Sequence, residues 1–206
     1  ATYGERYFGA GQNSNHFVCV FVGTGIGSGV VVNDEHLKGF TGTAGEIGHT
    51  KLFPDGRQCG CGGYGCLEAY ASRLAIAREI KSSIDQGKES VVADKINMEK
   101  GIIRSSALRE AIEMEDPIVL DAVKDGAKYL AWGLATVTNF FNPERIILGG
   151  GLIEAVDLYF DTCKEELERV ALPIPAKKLK LVRSRLGDNA GIIGAALMAS
   201  SKNGSR

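Results

Sequence analysis

The order of strand-like and helix-like segments is the feature that most constrains the fold of this 206-residue chain. Residues 16–22 and 29–33 are apolar and rich in β-branched side chains, and they lie close enough in sequence to pair as neighbouring strands. A third extended segment is predicted near residues 49–53, after a glycine-rich stretch over residues 39–48. We therefore expect a three-stranded meander at the start of the chain.

Helical patterns dominate the middle of the chain, and strands and helices alternate at its end. Apolar residues recur at helical spacing over residues 66–86, 105–115 and 117–141, and Pro117 stands at the first position of the last of these. The remainder predicts, in order, a strand over 145–148, a helix over 152–169, a strand over 179–183 and a helix over 190–200. Such alternation favours parallel strands joined by crossover helices.

Together these segments predict an α/β fold with a mixed sheet and the element order βββαβαβα. This order fits one lobe of the actin-like ATPase fold, which is ribonuclease H-like. Residues 54–115, a cysteine-containing loop followed by helices, would then be an insertion into the lobe.

Charge and hydropathy limit the kind of partner. The chain has 24 Lys and Arg against 25 Asp and Glu, and it contains no block of like charges of the sort that binds nucleic acid or anionic membranes. Its apolar runs are strand-sized and far shorter than the roughly 20 residues of a membrane helix, and no signal peptide opens it. We expect a cytoplasmic protein that binds a small molecule, without a nucleic-acid or membrane partner.

Glycine is unusually frequent, with 27 in the chain, and it clusters in two segments that suit a nucleotide. The first segment, residues 23–29, is a predicted hairpin in which Gly23, Gly25 and Gly27 leave backbone N–H groups accessible; with the Thr24 hydroxyl these could cradle phosphate oxygens. It is not a dinucleotide fingerprint, because a strand rather than a helix follows it. The alternative is a purely structural hairpin. We call residues 23–29 the phosphate hairpin.

The second glycine segment joins a predicted strand to a predicted helix. It consists of Gly149, Gly150 and Gly151. A helix N-terminus favours an anion, and bare backbone lets a flat ligand lie against it. The alternative is a tight turn, but two such segments in one chain favour a nucleotide site.

Three cysteines and a histidine form the sharpest local signal. Cys59, Cys61 and Cys66 lie close together, with His49 upstream, which is the ligand set of a closed, tetrahedral structural zinc site that would not activate water. This clustering favours a metal over disulfides, and the isolated Cys19 and Cys163 are predicted to be plain thiols. We call residues 49–66 the cysteine loop.

Two carboxylates flank the cysteine loop. If zinc holds one ring nitrogen of His49, the other nitrogen, Glu46 and Glu68 can face one cavity as hydrogen-bond partners for hydroxyl groups, as in a sugar site. The alternatives are that Glu68 complements the dipole of the helix it begins and that Glu46 is a solvent-exposed loop residue.

The motifs in this order resemble the ROK family of sugar kinases, in particular its glucokinase-like members, over nearly the whole chain. The phosphate hairpin resembles the family's own. Residues 44–49 (AGEIGH) with 59–68 (CGCGGYGCLE) resemble its sugar and zinc signature, residues 141–151 (FNPERIILGGG) its adenosine segment, and residues 186–196 (LGDNAGIIGAA) its final helix.

The resemblance implies ATP-dependent phosphorylation of a hexose, normally glucose to glucose 6-phosphate, between two actin-like lobes with Mg²⁺ on the phosphates, in a homodimer. The implied sugar ligands are Glu46, His49 and Glu68, and the implied zinc ligands are His49, Cys59, Cys61 and Cys66. Thr24 with its flanking glycines would meet the phosphates, and Gly149, Gly150 and Gly151 the adenosine.

The resemblance also places the general base outside this sequence. It is an aspartate of an Asn-Asp pair that would precede Ala1, because residues 1–11 match the stretch that follows the pair in the family. No catalytic residue is therefore assigned within the chain. We expect the chain to be the C-terminal lobe, without the N-terminal lobe, and to be inactive alone. Two alternatives remain: the sugar-sensing domain of a ROK-family transcriptional repressor, and a zinc-stabilised interaction module that binds no ligand.

Overall fold

A five-stranded mixed sheet forms the centre of the molecule in the computed structural model, which describes residues 1–96 and 102–203. Its strands are β1 (Phe17–Val22), β2 (Ile26–Val32), β3 (Glu35–His36), β4 (Arg145–Gly149) and β5 (Lys180–Arg183). The order across the sheet is β3-β2-β1-β4-β5. β1 pairs antiparallel with β2 and parallel with β4, which pairs parallel with β5. The predicted α/β class and mixed sheet are confirmed.

The third strand does not lie where the sequence predicted it. β3 follows β2 directly, through Asn33 and Asp34, whose positive φ angles of 51° and 63° make a tight hairpin turn. Residues 49–53 instead contribute a single bridge between Lys51 and Cys66. The prediction was wrong because a two-residue strand is too short to show an alternating pattern.

Nine α-helices surround the sheet within the described residues. They are α1 (Thr2–Phe8), α2 (Glu68–Ala71), α3 (Arg73–Asp85), α4 (Ser105–Glu113), α5 (Pro117–Phe141), α6 (Gly151–Ala155), α7 (Asp157–Val170), α8 (Pro173–Ala176) and α9 (Ala190–Asn203). The predicted bounds of α5 are confirmed. The single helices predicted over 66–86 and 152–169 are each two helices, separated at Ser72 and Val156. The first break has a clear cause, because the Ser72 side chain accepts a hydrogen bond from Ala75 N and so begins a new helix.

The sheet buries both of its faces. Along β1, Val18, Val20 and Val22 point into the main core with one face of α5, whereas Phe17 and Cys19 point into a smaller cluster on the other face. α5 packs against α2, α3 and α7, and α1 packs against α9. Within the described residues, no helix has both the length and the apolar character needed to span a bilayer.

The arrangement brings several loops to one edge of the sheet. β1 and β4 are parallel neighbours, so their carboxyl ends lie side by side, and the phosphate hairpin and Gly150 follow directly. Ligands of open α/β sheets bind at such an edge. Part of the predicted insertion over 54–115, residues 97–101, lies outside the described residues.

Candidate functional site

The four predicted metal ligands lie together in the structure. The ligand atoms of His49, Cys59, Cys61 and Cys66 are all within 4.8 Å of one another. Cys59 Sγ is 3.7 Å from His49 Nδ1, and Cys61 Sγ is 3.8 Å from Cys66 Sγ. In a tetrahedral zinc site with ordinary bond lengths, two ligand sulfur atoms lie about 3.8 Å apart, and a sulfur and a nitrogen ligand lie about 3.6 Å apart. The residues present therefore fit zinc.

Short backbone pairings shape the cysteine loop. Leu52 N donates to Gly65 O at 2.8 Å and Leu67 N donates to Thr50 O at 2.9 Å, so the two ends of the loop run side by side. A tight turn follows Cys59, whose N–H donates to Gly63 O at 2.8 Å. These bonds bring the cysteines together although they lie on opposite arms of the loop.

An aromatic cluster holds the cysteine loop against α5. The rings of Phe53 and Tyr70 have centroids 5.0 Å apart, and each also meets Tyr129 edge-on, at 5.9 Å and 5.3 Å. Trp132 meets Phe53 and Tyr129 in the same way, at 6.3 Å and 5.4 Å. Edge-to-face contacts of this kind add to the stability that burial supplies. The loop is thus fixed to the longest helix independently of its metal ligands.

The thiols of the cluster differ in their environment. Burial raises the pKa of Cys59 to about 11. A hydrogen bond with the backbone of Gly63 lowers the pKa of the exposed Cys61. By contrast, Cys19 and Cys163 lie in the apolar core, where burial raises the pKa of each thiol, as the prediction of plain thiols implied.

Glu68 connects the cysteine loop to the phosphate hairpin. Its Oε2 accepts a hydrogen bond from Ile26 N at 2.8 Å, and its Oε1 lies 3.6 Å from Cys59 Sγ. A Cβ at Gly25 would lie 2.4 Å from Glu68 Oε2, so the glycine is needed for this close approach. An ionised carboxylate has about four lone-pair sites, so Glu68 can accept further hydrogen bonds.

The two other predicted sugar ligands lie on a short turn beside β2. The turn Ile47–His49 is held by Ser28, whose Oγ accepts from Ile47 N at 3.3 Å and donates to Gly45 O. His49 Nδ1 faces Cys59, which leaves Nε2 as the ring nitrogen for another partner. Glu46 is exposed at the rim, and its carboxylate makes no hydrogen bond to a described residue.

The two predicted nucleotide segments adjoin. A Cβ at Gly150 would lie 2.5 Å from Val22 O, directly before the phosphate hairpin. Gly149 ends β4, and Gly151 begins α6, with Ser105 Oγ 3.9 Å from where its Cβ would be. Gly23 and Gly27 face open space, since a Cβ at either would meet no atom within 4 Å. The helix expected after this segment is broken at Val156, so that α6 has only five residues before α7 begins.

Arg73 is a further residue at the candidate site, and it lies outside the motifs that the sequence singled out. Its guanidinium donates to Thr24 Oγ1 at 3.1 Å and to Ser105 Oγ at 3.4 Å, so it stands between the phosphate hairpin and α4. The signal that could have revealed it is Ser72, because an N-cap there places the next side chain at a helix start instead of within a longer helix.

Ala1, the residue that the predicted general base would precede, lies at the start of α1. It is exposed, and its carbonyl accepts a hydrogen bond from Glu5 N at 3.0 Å. A Cβ at Gly194 would lie 3.0 Å from Ala1 N, so Ala1 lies against α9. Ala1 therefore packs within the helix pair α1–α9. The position of the base before Ala1 stays a prediction.

Comparison with known proteins identifies the family. The sequence pattern of the ROK family matches residues 1–202. The chain belongs to the ROK family. The resemblance predicted from the motifs is confirmed, and with it the actin-like fold of the ROK family.

The ROK relatives include both enzymes and regulators. A glucokinase from Halalkalibacterium halodurans is 37% identical over 196 residues, which are 94% of this chain and 59% of that protein. A xylose repressor from Bacillus spizizenii is 33% identical over 93% of this chain and 46% of the repressor. The solved structure of a ROK family glucokinase from Streptomyces griseus, in complex with glucose and AMPPNP, is 31% identical with a TM-score of 0.84 over 96% of this chain and 64% of that one. The chain thus spans less than two thirds of each of these ROK proteins.

Proposed function

We propose that the ROK protein containing this chain transfers a phosphoryl group from ATP to a hexose, with glucose as substrate and glucose 6-phosphate as product. The observation that carries the proposal is the position of Glu68, which bonds to the phosphate hairpin through Ile26 N and lies beside Cys59 of the cysteine loop. A sugar hydroxyl held at Glu68 would therefore lie next to the segment suited to ATP phosphates. Adjacent binding of both reactants is what phosphoryl transfer requires.

The proposed sugar site consists of Glu46, Glu68 and His49. The carboxylates accept hydrogen bonds from hydroxyls, and His49 contributes Nε2, since its Nδ1 faces the thiols. The half-buried Glu68 is fixed by Ile26, whereas the exposed Glu46 is free to turn toward a ligand.

The proposed nucleotide site lies along the carboxyl ends of β1 and β4. Gly23, Thr24, Gly25 and Gly27 would meet the phosphates, with Mg²⁺, and Gly149, Gly150 and Gly151 the adenosine. The protein's part in such a reaction is to position groups and to neutralise charge. We propose that the chain forms the C-terminal lobe, with 54–115 as an insertion, that the general base is supplied by a segment preceding Ala1, and that the native protein is a homodimer.

A zinc ion held by His49, Cys59, Cys61 and Cys66 would supply a rigid cross-link without an open coordination position. Purification without chelator should give about one zinc ion per chain by elemental analysis. Cys61→Ser should bind less zinc and melt at a lower temperature. A Cys61→Ser chain with full metal content and unchanged stability would contradict this assignment.

The kinase proposal is tested by assaying the native protein for ATP-dependent phosphorylation of a hexose panel, with the 206-residue chain, expected to be inactive, alongside. Glucose should be consumed stoichiometrically with ATP. Glu68→Gln should lower kcat/KM for the sugar by about a hundredfold, since it removes a charged acceptor beside the phosphate hairpin. Absence of phosphorylated product with every sugar would overturn the proposal.

The second candidate function is a sugar-responsive repressor, which the 33% identity with the xylose repressor favours. A repressor needs the sugar site but not the phosphate hairpin. The same preparation should then bind a hexose in isothermal titration and release a DNA operator on binding, without consuming ATP.

A further inference from the structure

Arg73 begins α3 and is fixed against the phosphate hairpin by its backbone. Its N–H donates to Gly23 O at 2.9 Å, immediately after β1. Its side chain then reaches Thr24 on the hairpin and Ser105, the first residue of α4. The guanidinium is therefore placed by contacts on both sides, not free in solvent.

The partners of this cation are neutral. A guanidinium carries five N–H donors, and here two hydroxyl oxygens accept from it. Among the described residues, no carboxylate lies within 4.0 Å of Arg73, whereas Arg6, Arg57, Arg109, Arg169 and Arg183 each have one. A half-buried positive charge without a counter-charge can bind an anion. Among the described residues, Arg145 is also half-buried without a carboxylate partner, but it donates to the backbone carbonyls of Ala10 and Gln12, whereas the side chain of Arg73 has only two hydroxyl partners.

The position of Arg73 between the two glycine segments indicates which anion. Ser105, one of its partners, lies beside Gly151, and Gly150 lies against Val22 O at the start of the phosphate hairpin. Arg73 thus contacts the loop suited to phosphates directly, and it contacts Ser105, which adjoins the segment suited to the nucleoside. The planar fork of arginine matches two phosphate oxygens at once.

We propose that Arg73 binds the phosphate oxygens of ATP and makes nucleotide affinity depend on the phosphate chain. The proposal rests on the proposed kinase function, and it assigns to the site a residue outside the glycine motifs. On binding, the guanidinium exchanges its hydroxyl partners for phosphate oxygens, which frees Thr24 Oγ1 and Ser105 Oγ to donate to the same phosphates.

Isothermal titration of the native protein with ATP and with adenosine tests this assignment. Arg73→Gln keeps an amide donor for the two hydroxyls but removes the charge, so it should raise the Kd for ATP about tenfold or more and leave the Kd for adenosine within about twofold. Arg73→Lys keeps the charge but loses the planar fork of donors, so its Kd for ATP should lie between those of the unmodified protein and Arg73→Gln. Arg78→Gln, on an exposed position of α3, is the matched control and should change neither Kd.

The outcomes separate this inference from the proposed function. Equal weakening of ATP and adenosine by Arg73→Gln would show a purely structural role and overturn the inference, as would unchanged ATP affinity. Failure of the unmodified protein to bind ATP would overturn the kinase proposal and the inference with it. If Arg73→Gln does not fold, Arg73→Lys decides: weaker ATP binding with unchanged adenosine binding supports the assignment, and unchanged ATP binding refutes it.

Discussion

The ammonium group of Lys51 lies beside the thiols of the cysteine loop, although its residue is exposed. Its Nζ donates to Cys66 Sγ at 3.2 Å and to Tyr64 O at 2.6 Å. Zinc bound by three thiolates and a neutral histidine carries one excess negative charge, which Lys51 would balance. Lys51→Met should therefore weaken zinc binding about tenfold in competition with a chromophoric chelator. Lys88→Met, on an exposed position after α3, is the control, and equal affinities for the two variants would refute the role.

Gly65 shows how one backbone position supports the metal ligands. Its φ is +71°, and a Cβ there would lie 1.5 Å from Phe53 O. Gly65→Ala should displace this arm of the cysteine loop and move Cys66, lowering both zinc content and melting temperature, because strain of about 1–3 kcal/mol adds to the clash. A Cβ at Gly60 in the same loop would meet no atom within 4 Å, so Gly60→Ala should retain the zinc content and the melting temperature of the unmodified chain. Full zinc content in Gly65→Ala would contradict this account.

At the scale of single residues, the sequence predicted the metal ligands, because their residue types and their spacing along the chain are typical of a metal site. His49, Cys59, Cys61 and Cys66 could be grouped because few functions other than metal binding need that set. Ser72 could have placed Arg73 at a helix start, but the contacts of Arg73 and Lys51 could not be predicted, since only the folded chain brings their neighbours together.

Among the elements, α5 depends on the residue that caps it. Asp116 is buried, and its Oδ1 accepts from Ile118 N at 3.0 Å and Val119 N at 3.1 Å, while Oδ2 accepts from Val91 N at 2.8 Å and Ser90 Oγ at 2.7 Å. Asp116→Ala should lower the free energy of unfolding by about 2 kcal/mol or more in urea titrations, because it removes the N-cap and the acceptor for the segment after α3. Asp121→Ala, exposed on the same helix, should have little effect.

The contribution of Asp116 to the free energy of unfolding should also depend on pH. Burial alone would raise its pKa, but hydrogen bonds from Ser90 and backbone N–H groups outweigh burial and lower it. As the pH falls, Asp116 therefore becomes protonated at a higher pH in the unfolded chain than in the folded chain. The stabilisation by Asp116 is complete above about pH 4 and is lost as the pH drops through the folded-state pKa. The stability difference between the native chain and Asp116→Asn should narrow over that range in urea titrations. A difference that stays constant from pH 7 to pH 3 would contradict the linkage.

Elements with strong local signals were predicted, and elements defined by tertiary contacts were not. The bounds of α5 followed from Asp116-Pro117 and from Asn142-Pro143. The break at Val156 has no such signal, and β3 exists because two residues after a turn meet the edge of β2.

Across the whole molecule, Glu5 joins parts of the chain that are distant in sequence. Its carboxylate is fully buried and accepts from Ala10 N at 2.7 Å, Ser184 Oγ at 2.6 Å and Leu186 N at 3.0 Å. Glu5→Gln should lower the free energy of unfolding by about 2–3 kcal/mol, because an amide nitrogen cannot accept from these donors. Glu89→Gln, at an exposed position, should leave the urea midpoint unchanged; a similar midpoint for both variants would show that the buried carboxylate is dispensable.

At this scale the element order predicted the fold class, since three early strands followed by alternating strands and helices leave few arrangements. α1 was not predicted, because its short, glycine-containing sequence becomes helical through its packing on α9 and through the bonds of Glu5.

The central position of β1 has a consequence for how the chain folds. One side of β1 pairs with the adjacent β2, and the other pairs with β4, where Arg145 lies opposite Phe17. The helices α2 to α5 lie between β1 and β4 in the sequence. Contacts so distant in sequence form slowly, and an unpaired apolar strand edge favours aggregation. A nascent chain on the ribosome thus exposes one edge of its most buried strand until residue 145 emerges. We expect chaperones to act on that edge, and the native sheet to close only late in synthesis.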